Sequence, residues 1–124
     1  TPLYMAPEMF FDVDETYGTP VDVYSYAILL YQMFSNEISF PDNRPIRSSQ
    51  QYMMKIGRGL RPTRPKNITG DYWELIQKCW NPDPDRRPSF DKIVEMLKDD
   101  KFAIKEFGIE TDLDDLHEYQ QKYS

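Results

Sequence analysis

The hydrophobic pattern is densest at residues 21–34, where almost every position is apolar or aromatic. The exceptions are Asp22, Ser25 and Gln32, which fall within about 80° of one another at about 100° per residue. This predicts a helix buried on nearly all sides, with one narrow polar stripe. Thr19 is expected to cap its N-terminus and Pro20 to fill the first helical position. Asp22 then falls three residues past the cap, where an acid suits the helix's positive end. At about 14 residues the run is too short to span a bilayer, which takes about 20.

Shorter stripes follow. Tyr72, Leu75, Ile76, Cys79 and Trp80 recur at helical spacing, so Asp71 is expected to open a one-sided helix that Asn81-Pro82 stops. Ser89 caps another, with Phe90, Ile93, Val94 and Leu97 as its apolar stripe. Ser48 or Ser49 caps one running through Tyr52, Met53 and Ile56 and ended by Gly57 and Gly59. Glu8-Met9-Phe10-Phe11 fits one helical turn, and Thr111 opens a weak last helix using Leu113, Leu116 and Tyr119. Prolines and small polar residues make loops of 1–9, 12–19, 35–47 and 60–70. No alternating strand pattern and no internal repeat is present. The expected fold class is all-α, with amphipathic helices around one buried central helix.

Charge and composition then narrow the function. The net charge is −6, and no basic cluster dominates the fifteen lysines and arginines. Neither nucleic acid nor a membrane surface is therefore an expected partner. Cys79 is the only cysteine and His117 the only histidine, which rules out an internal disulfide and a Cys/His zinc site and favours a reducing compartment. The chain opens on Thr1, so the expectation is that it begins inside something longer.

Four patches, in order, resemble the C-terminal lobe of a eukaryotic-type protein kinase. TPLYMAPE at 1–8 is similar to the end of the activation segment, with its Ala-Pro-Glu triplet at 6–8. DVYSYAILLYQMF at 22–34 is similar to the central helix, with Tyr24 and Ala27 departing from the commoner Asp-Val-Trp-Ser-Phe-Gly. GRGLRP at 57–62 resembles the link after the next helix. CWNPDPDRRPSF at 79–90 resembles the segment carrying a buried arginine. Thr1-Pro2 and Tyr4-Met5-Ala6 look like a serine/threonine kinase, whereas Cys79-Trp80 and Arg87-Pro88-Ser89-Phe90 look like a tyrosine kinase. That mixture is typical of the tyrosine-kinase-like group, whose members mostly phosphorylate Ser and Thr.

The resemblance implies roles. Glu8 and Arg87 become a buried ion pair, although charge alone would make them solvated loop residues; Arg86 stays solvated. Asp22, already explained as a helix-start acid, gains the task of anchoring the catalytic loop. Leu29 and Met33, otherwise core residues, become the floor of a column of side chains beneath the adenine. Thr1, Pro2, Leu3, Tyr4 and Met5 become the wall that meets substrate, against the simpler reading of a frayed terminus. The expected division is a partial kinase domain at 1–97 and a charged tail at 98–124.

The chemistry of phosphoryl transfer is missing from this stretch. It needs a phosphate cradle, a lysine, Mg²⁺ ligands and a catalytic Asp, and in kinases these precede the Ala-Pro-Glu triplet. Glu106-Phe107-Gly108, Gly57-Arg58-Gly59 and His117-Glu118-Tyr119 imitate the relevant motifs without matching them. The expectation is no catalytic residue, cofactor or metal in this chain, with ATP and Mg²⁺ belonging to a larger parent. The implied partners are the remainder of that kinase domain and a protein substrate, in the cytoplasm. The alternative is a non-catalytic helical interaction module or pseudokinase remnant.

Overall fold

The computed structural model describes residues 3–10 and 18–102. Four helices form there: α1 (Thr19–Phe34), α2 (Ser49–Gly57), α3 (Gly70–Cys79) and α4 (Phe90–Leu97). Short 3₁₀ turns lie at Pro7–Met9, Pro84–Arg86 and Asp100–Phe102, and no strand is present among the described residues. The expected last helix from Thr111 and the end of the first turn at Phe11 lie outside the described residues.

The caps explain where the helices start. Ser48 accepts from the Gln51 N–H, Thr69 from Tyr72 and Ser89 from Lys92, each satisfying a donor that has no partner within the helix. Two expected starts are corrected. Thr69, not Asp71, opens α3. Gly18 is the cap residue of α1, without a side-chain bond, and Thr19 is already helical. Thr19 therefore does not cap, and Asp22 lies one position further into the helix than expected. At the other end of α2, Gly59 (φ +92°) and the bonds Leu60 N–H to Lys55 O and Gly59 N–H to Ile56 O close a Schellman turn.

The core forms where α1 crosses α3. Tyr31 packs on Trp80 with ring centres 5.8 Å apart, and Phe34 packs on Tyr72 at 5.3 Å. Ile28, Leu75 and Ile76 are fully buried, worth about 1.5–3 kcal/mol each. The link after α2 is held down too: Pro62, Pro65 and Ile68 are buried, and the Tyr31 hydroxyl donates to Thr63 O at 2.6 Å. Phe102 closes the far end, edge-on to Tyr72, whose hydroxyl donates to the Phe102 carbonyl.

Two apolar expectations fail. Leu29 and Met33 are 54% and 56% exposed, so neither packs in this chain's core. The helical wheel accounts for it: at about 100° per residue both fall on the same arc as Asp22, Ser25 and Gln32, so α1 has one open face and is not buried all round. Val94 is 47% exposed as well, leaving Ile93 as the buried residue of α4.

Candidate functional site

The segment from Leu3 to Phe10 lies across α1 and α2, held by main-chain and side-chain bonds together. Ser25 Oγ donates to Tyr4 O at 2.7 Å, and the Tyr4 hydroxyl donates to Gln32 Oε1 at 2.6 Å. From α2, the Tyr52 hydroxyl donates to Leu3 O at 3.1 Å. Two of the three residues of the polar stripe on α1 thus serve as the seat for residues 3–5, which are not frayed. Thr1 and Pro2 lie outside the described residues. Leu3 also lines an open groove of about 480 Å³ with Ile38, Ile46 and Tyr52.

Beyond Met5 the chain turns inward. Ala6 is fully buried and extended, and Pro7 starts the 3₁₀ turn, closed by Met9 N–H to Ala6 O at 3.0 Å. That turn aims Glu8 at Arg87. The arginine arrives from the Pro84–Arg86 turn, where Asp83 accepts from the Asp85 N–H. Pro88 follows it and favours the extended backbone it adopts (φ −74°, ψ 139°).

Arg87 Nη1 donates to Glu8 Oε2 at 2.7 Å and Nη2 to Oε1 at 2.9 Å. Nη1 also donates to Pro20 O and Nε to Asn81 O, both at 2.9 Å. Four of the guanidinium's five N–H donors are used, in the two-pronged geometry arginine makes with a carboxylate. The Arg87 side chain is fully buried, and that of Glu8 is 24% exposed. One bond set therefore ties residues 6–8, the start of α1 and the loop after α3 together. The neighbouring Arg86 points to solvent and reaches Asp83 only loosely, at 3.6 Å.

Beneath this clasp lies Tyr24, flanked by two cations. Its ring centre is 5.2 Å from the Arg87 guanidinium and 5.5 Å from that of Arg61. Burial raises the Tyr24 phenol above its usual range, against the opposing pull of Arg61 and Arg87. Burial likewise lowers the Arg61 guanidinium from its usual value. Arg61 Nε donates to Trp80 O at 2.9 Å, and Nη1 donates to Ile56 O at 3.0 Å and Leu60 O at 2.8 Å. Arg61 Nη2 and the Tyr24 hydroxyl are buried without a hydrogen bond of good geometry. The one sequence signal for Arg61 is its place in the GRGLRP patch, between a Schellman glycine and a proline, where an arginine can turn back onto helix-end carbonyls.

The remaining site residues stand apart. Asp22 is exposed on the open face of α1, beside Leu29 and Met33. No group of three or more His, Cys, Asp or Glu side chains is placed to hold a metal ion among the described residues. Cys79 is fully buried, and that burial pushes its thiol up to about 12, which makes it a poor nucleophile. The arrangement positions and braces a segment.

Comparison with known proteins adds to this geometry. A family model described as the protein kinase domain matches residues 1–107. RGS domain-containing serine/threonine-protein kinase A of Dictyostelium discoideum is 40% identical over 98 residues, covering 79% of this chain and 8% of that protein. Serine/threonine-protein kinase VIK of Arabidopsis thaliana is 41% identical over 96 residues, covering 77% of this chain and 20% of that protein. Dual specificity protein kinase shkA of Dictyostelium discoideum is 37% identical over 100 residues, covering 80% of this chain and 18% of that protein. The chain spans no more than a fifth of the length of these relatives.

Proposed function

This chain belongs to the protein kinase family, as a helical piece of the C-terminal lobe, and on that premise we propose that its parent is a serine/threonine kinase of the tyrosine-kinase-like group. The parent would transfer phosphate from ATP to protein hydroxyls in the cytoplasm. No helix among the described residues is long and apolar enough to cross a membrane. In this reading Thr1, Pro2, Leu3, Tyr4 and Met5 form the substrate-side wall, and the groove beside Leu3 takes the substrate residue after the phosphorylated one.

The observation that carries the reading is the clasp. Glu8 and Arg87 are joined by two hydrogen bonds across a long loop of chain, which fixes the wall's C-terminal end to the helical core. The open face of α1 supports the rest: Asp22 is free to accept hydrogen bonds from a catalytic loop, and Leu29 and Met33 offer a floor for side chains from the remainder of the domain. In this reading ATP and Mg²⁺ are held by the remainder of the parent domain.

Two measurements test this. The full chain titrated with ATP and Mg²⁺ in a calorimeter is expected to show no binding; micromolar affinity would overturn the division of labour. Recovering the upstream coding sequence is expected to reveal a Gly-rich loop, a lysine, His-Arg-Asp and Asp-Phe-Gly. The whole domain should then label Ser or Thr peptides well above Tyr peptides. Degraded upstream motifs would instead assign the chain to a pseudokinase or a non-catalytic module.

A further inference from the structure

The charge of this chain is divided more sharply than its total suggests. Residues 43–70 contain seven of its fifteen lysines and arginines and no aspartate or glutamate. The other eight cations share the remainder with all twenty-one acids. The basic stretch includes α2, and on the outer side of that helix lies a groove of about 250 Å³. Arg44, Lys55 and Arg58 line it, together with Met54 and Leu60. Met54 is 55% exposed and Leu60 41%, so the groove offers apolar contact beside its charges. Asp42 is its one carboxylate, and it is engaged by Lys55 at 2.5 Å.

The helix end beside this groove does not repel an anion. The last carbonyls of α2 would ordinarily present partial negative charge. Here they are covered: Arg58 N–H donates to Met54 O, Gly59 N–H to Ile56 O and Leu60 N–H to Lys55 O. Arg61 adds a second donor to Ile56 O. Arg44 and Arg58 remain exposed, and methionine adapts its shape to varied apolar partners.

We propose that this groove docks an acidic segment of a partner protein carrying an apolar anchor, with carboxylates on Arg44 and Arg58 and the anchor on Met54 and Leu60. Charge complementarity argues for that occupant: the groove sets three cations, Arg44, Lys55 and Arg58, against the single carboxylate of Asp42, which Lys55 already engages, and such a net-positive patch attracts acidic groups. Such docking needs no phosphoryl transfer.

The probe is a fluorescein-labelled nonapeptide of aspartates and glutamates around one leucine and one phenylalanine, titrated into the full chain by fluorescence anisotropy. Saturable binding is expected in the tens of micromolar. Arg44→Glu with Arg58→Glu should weaken it about tenfold or more, and Met54→Ser about threefold. Asp42→Asn removes the groove's only carboxylate and should tighten binding about twofold, a gain that misfolding could not produce. Unchanged affinity in the charge reversal would overturn the proposal. So would equal affinity for a control peptide with serine in place of both apolar residues. The chain's own residues 106–118 also set acids beside leucines. If reversing Asp112, Asp114 and Asp115 to lysine raises peptide affinity, the groove belongs to that segment and a partner protein is ruled out as its occupant.

Discussion

Two short carboxylate–cation contacts differ in everything except length. Asp42 and Lys55 meet at 2.5 Å and Glu8 and Arg87 at 2.7 Å. The shorter contact is a single prong whose carboxylate is 38% exposed, so water competes for Asp42 and salt screens the pair. The Lys55 bond and the Arg44 N–H hold the Asp42 carboxyl below its usual range, yet that carboxylate hydrates readily when released. The Glu8–Arg87 contact is two-pronged, and its arginine has no water to fall back on. Distance does not rank these pairs; the environment left behind when one partner goes does.

Glu8→Ala should break the comparison hardest. It strands a buried guanidinium, at about 3–5 kcal/mol, with the partial exposure of Glu8 setting it near the lower end. Urea unfolding of the full chain measures this, and Glu8→Gln should recover part of the loss because an amide oxygen can still accept one bond. A loss below about 1 kcal/mol would put the clasp on a par with a surface pair.

Arg61→Met comes next, at about 1–3 kcal/mol. Arg61 lies against the same tyrosine as Arg87, but its partners are neutral carbonyls, so its removal leaves unpaired acceptors and no stranded charge. If Arg61→Met proved as damaging as Glu8→Ala, the carboxylate would not be what distinguishes the two arginines.

A gentler effect appears in alkali. Burial raises Tyr24, Tyr26, Tyr31, Tyr52 and Cys79 above their ordinary values, Cys79 to about 12. For acids raised in this way, the folded state keeps protons that the unfolded chain has lost. Stability is therefore fully present below the unfolded values and is lost as pH rises through the folded ones. The urea midpoint should hold to about pH 9 and fall from there towards pH 12, and Cys79→Ala should flatten the lower part of that decline. A midpoint that rose above pH 9 would contradict the burial of these groups.

Asp42→Asn should do least. The amide oxygen still accepts from the Arg44 N–H, and at high salt the urea midpoint should not move. A clear loss there would mean that the surface pair braces the fold as the buried one does.

Much of this was open to reading along the chain. Spacing alone marks four helices, because a one-sided helix needs apolar residues every three to four positions. Ser48 and Ser89 announce their helices through short side chains that reach back to the backbone. Asp71 masks Thr69 as the start of α3, because an acid suits a helix's first turn whether or not it caps. The charge run at 43–70 was also there to be read. Without coordinates, though, nothing set Met54 and Leu60 beside Arg44 and Arg58 or showed them open to solvent.

What the chain determines locally is which stretches coil, where they begin and end, and which faces are greasy, since each depends on neighbours within a few residues. It also carries the family patches that name Glu8 and Arg87. Only the tertiary structure decides that those two meet, that Ser25 and Gln32 seat Tyr4, and that Leu29 and Met33 face outward. These are contacts between residues far apart in sequence, and burial belongs to the packed whole: a leucine reads the same whether another helix covers it or water does.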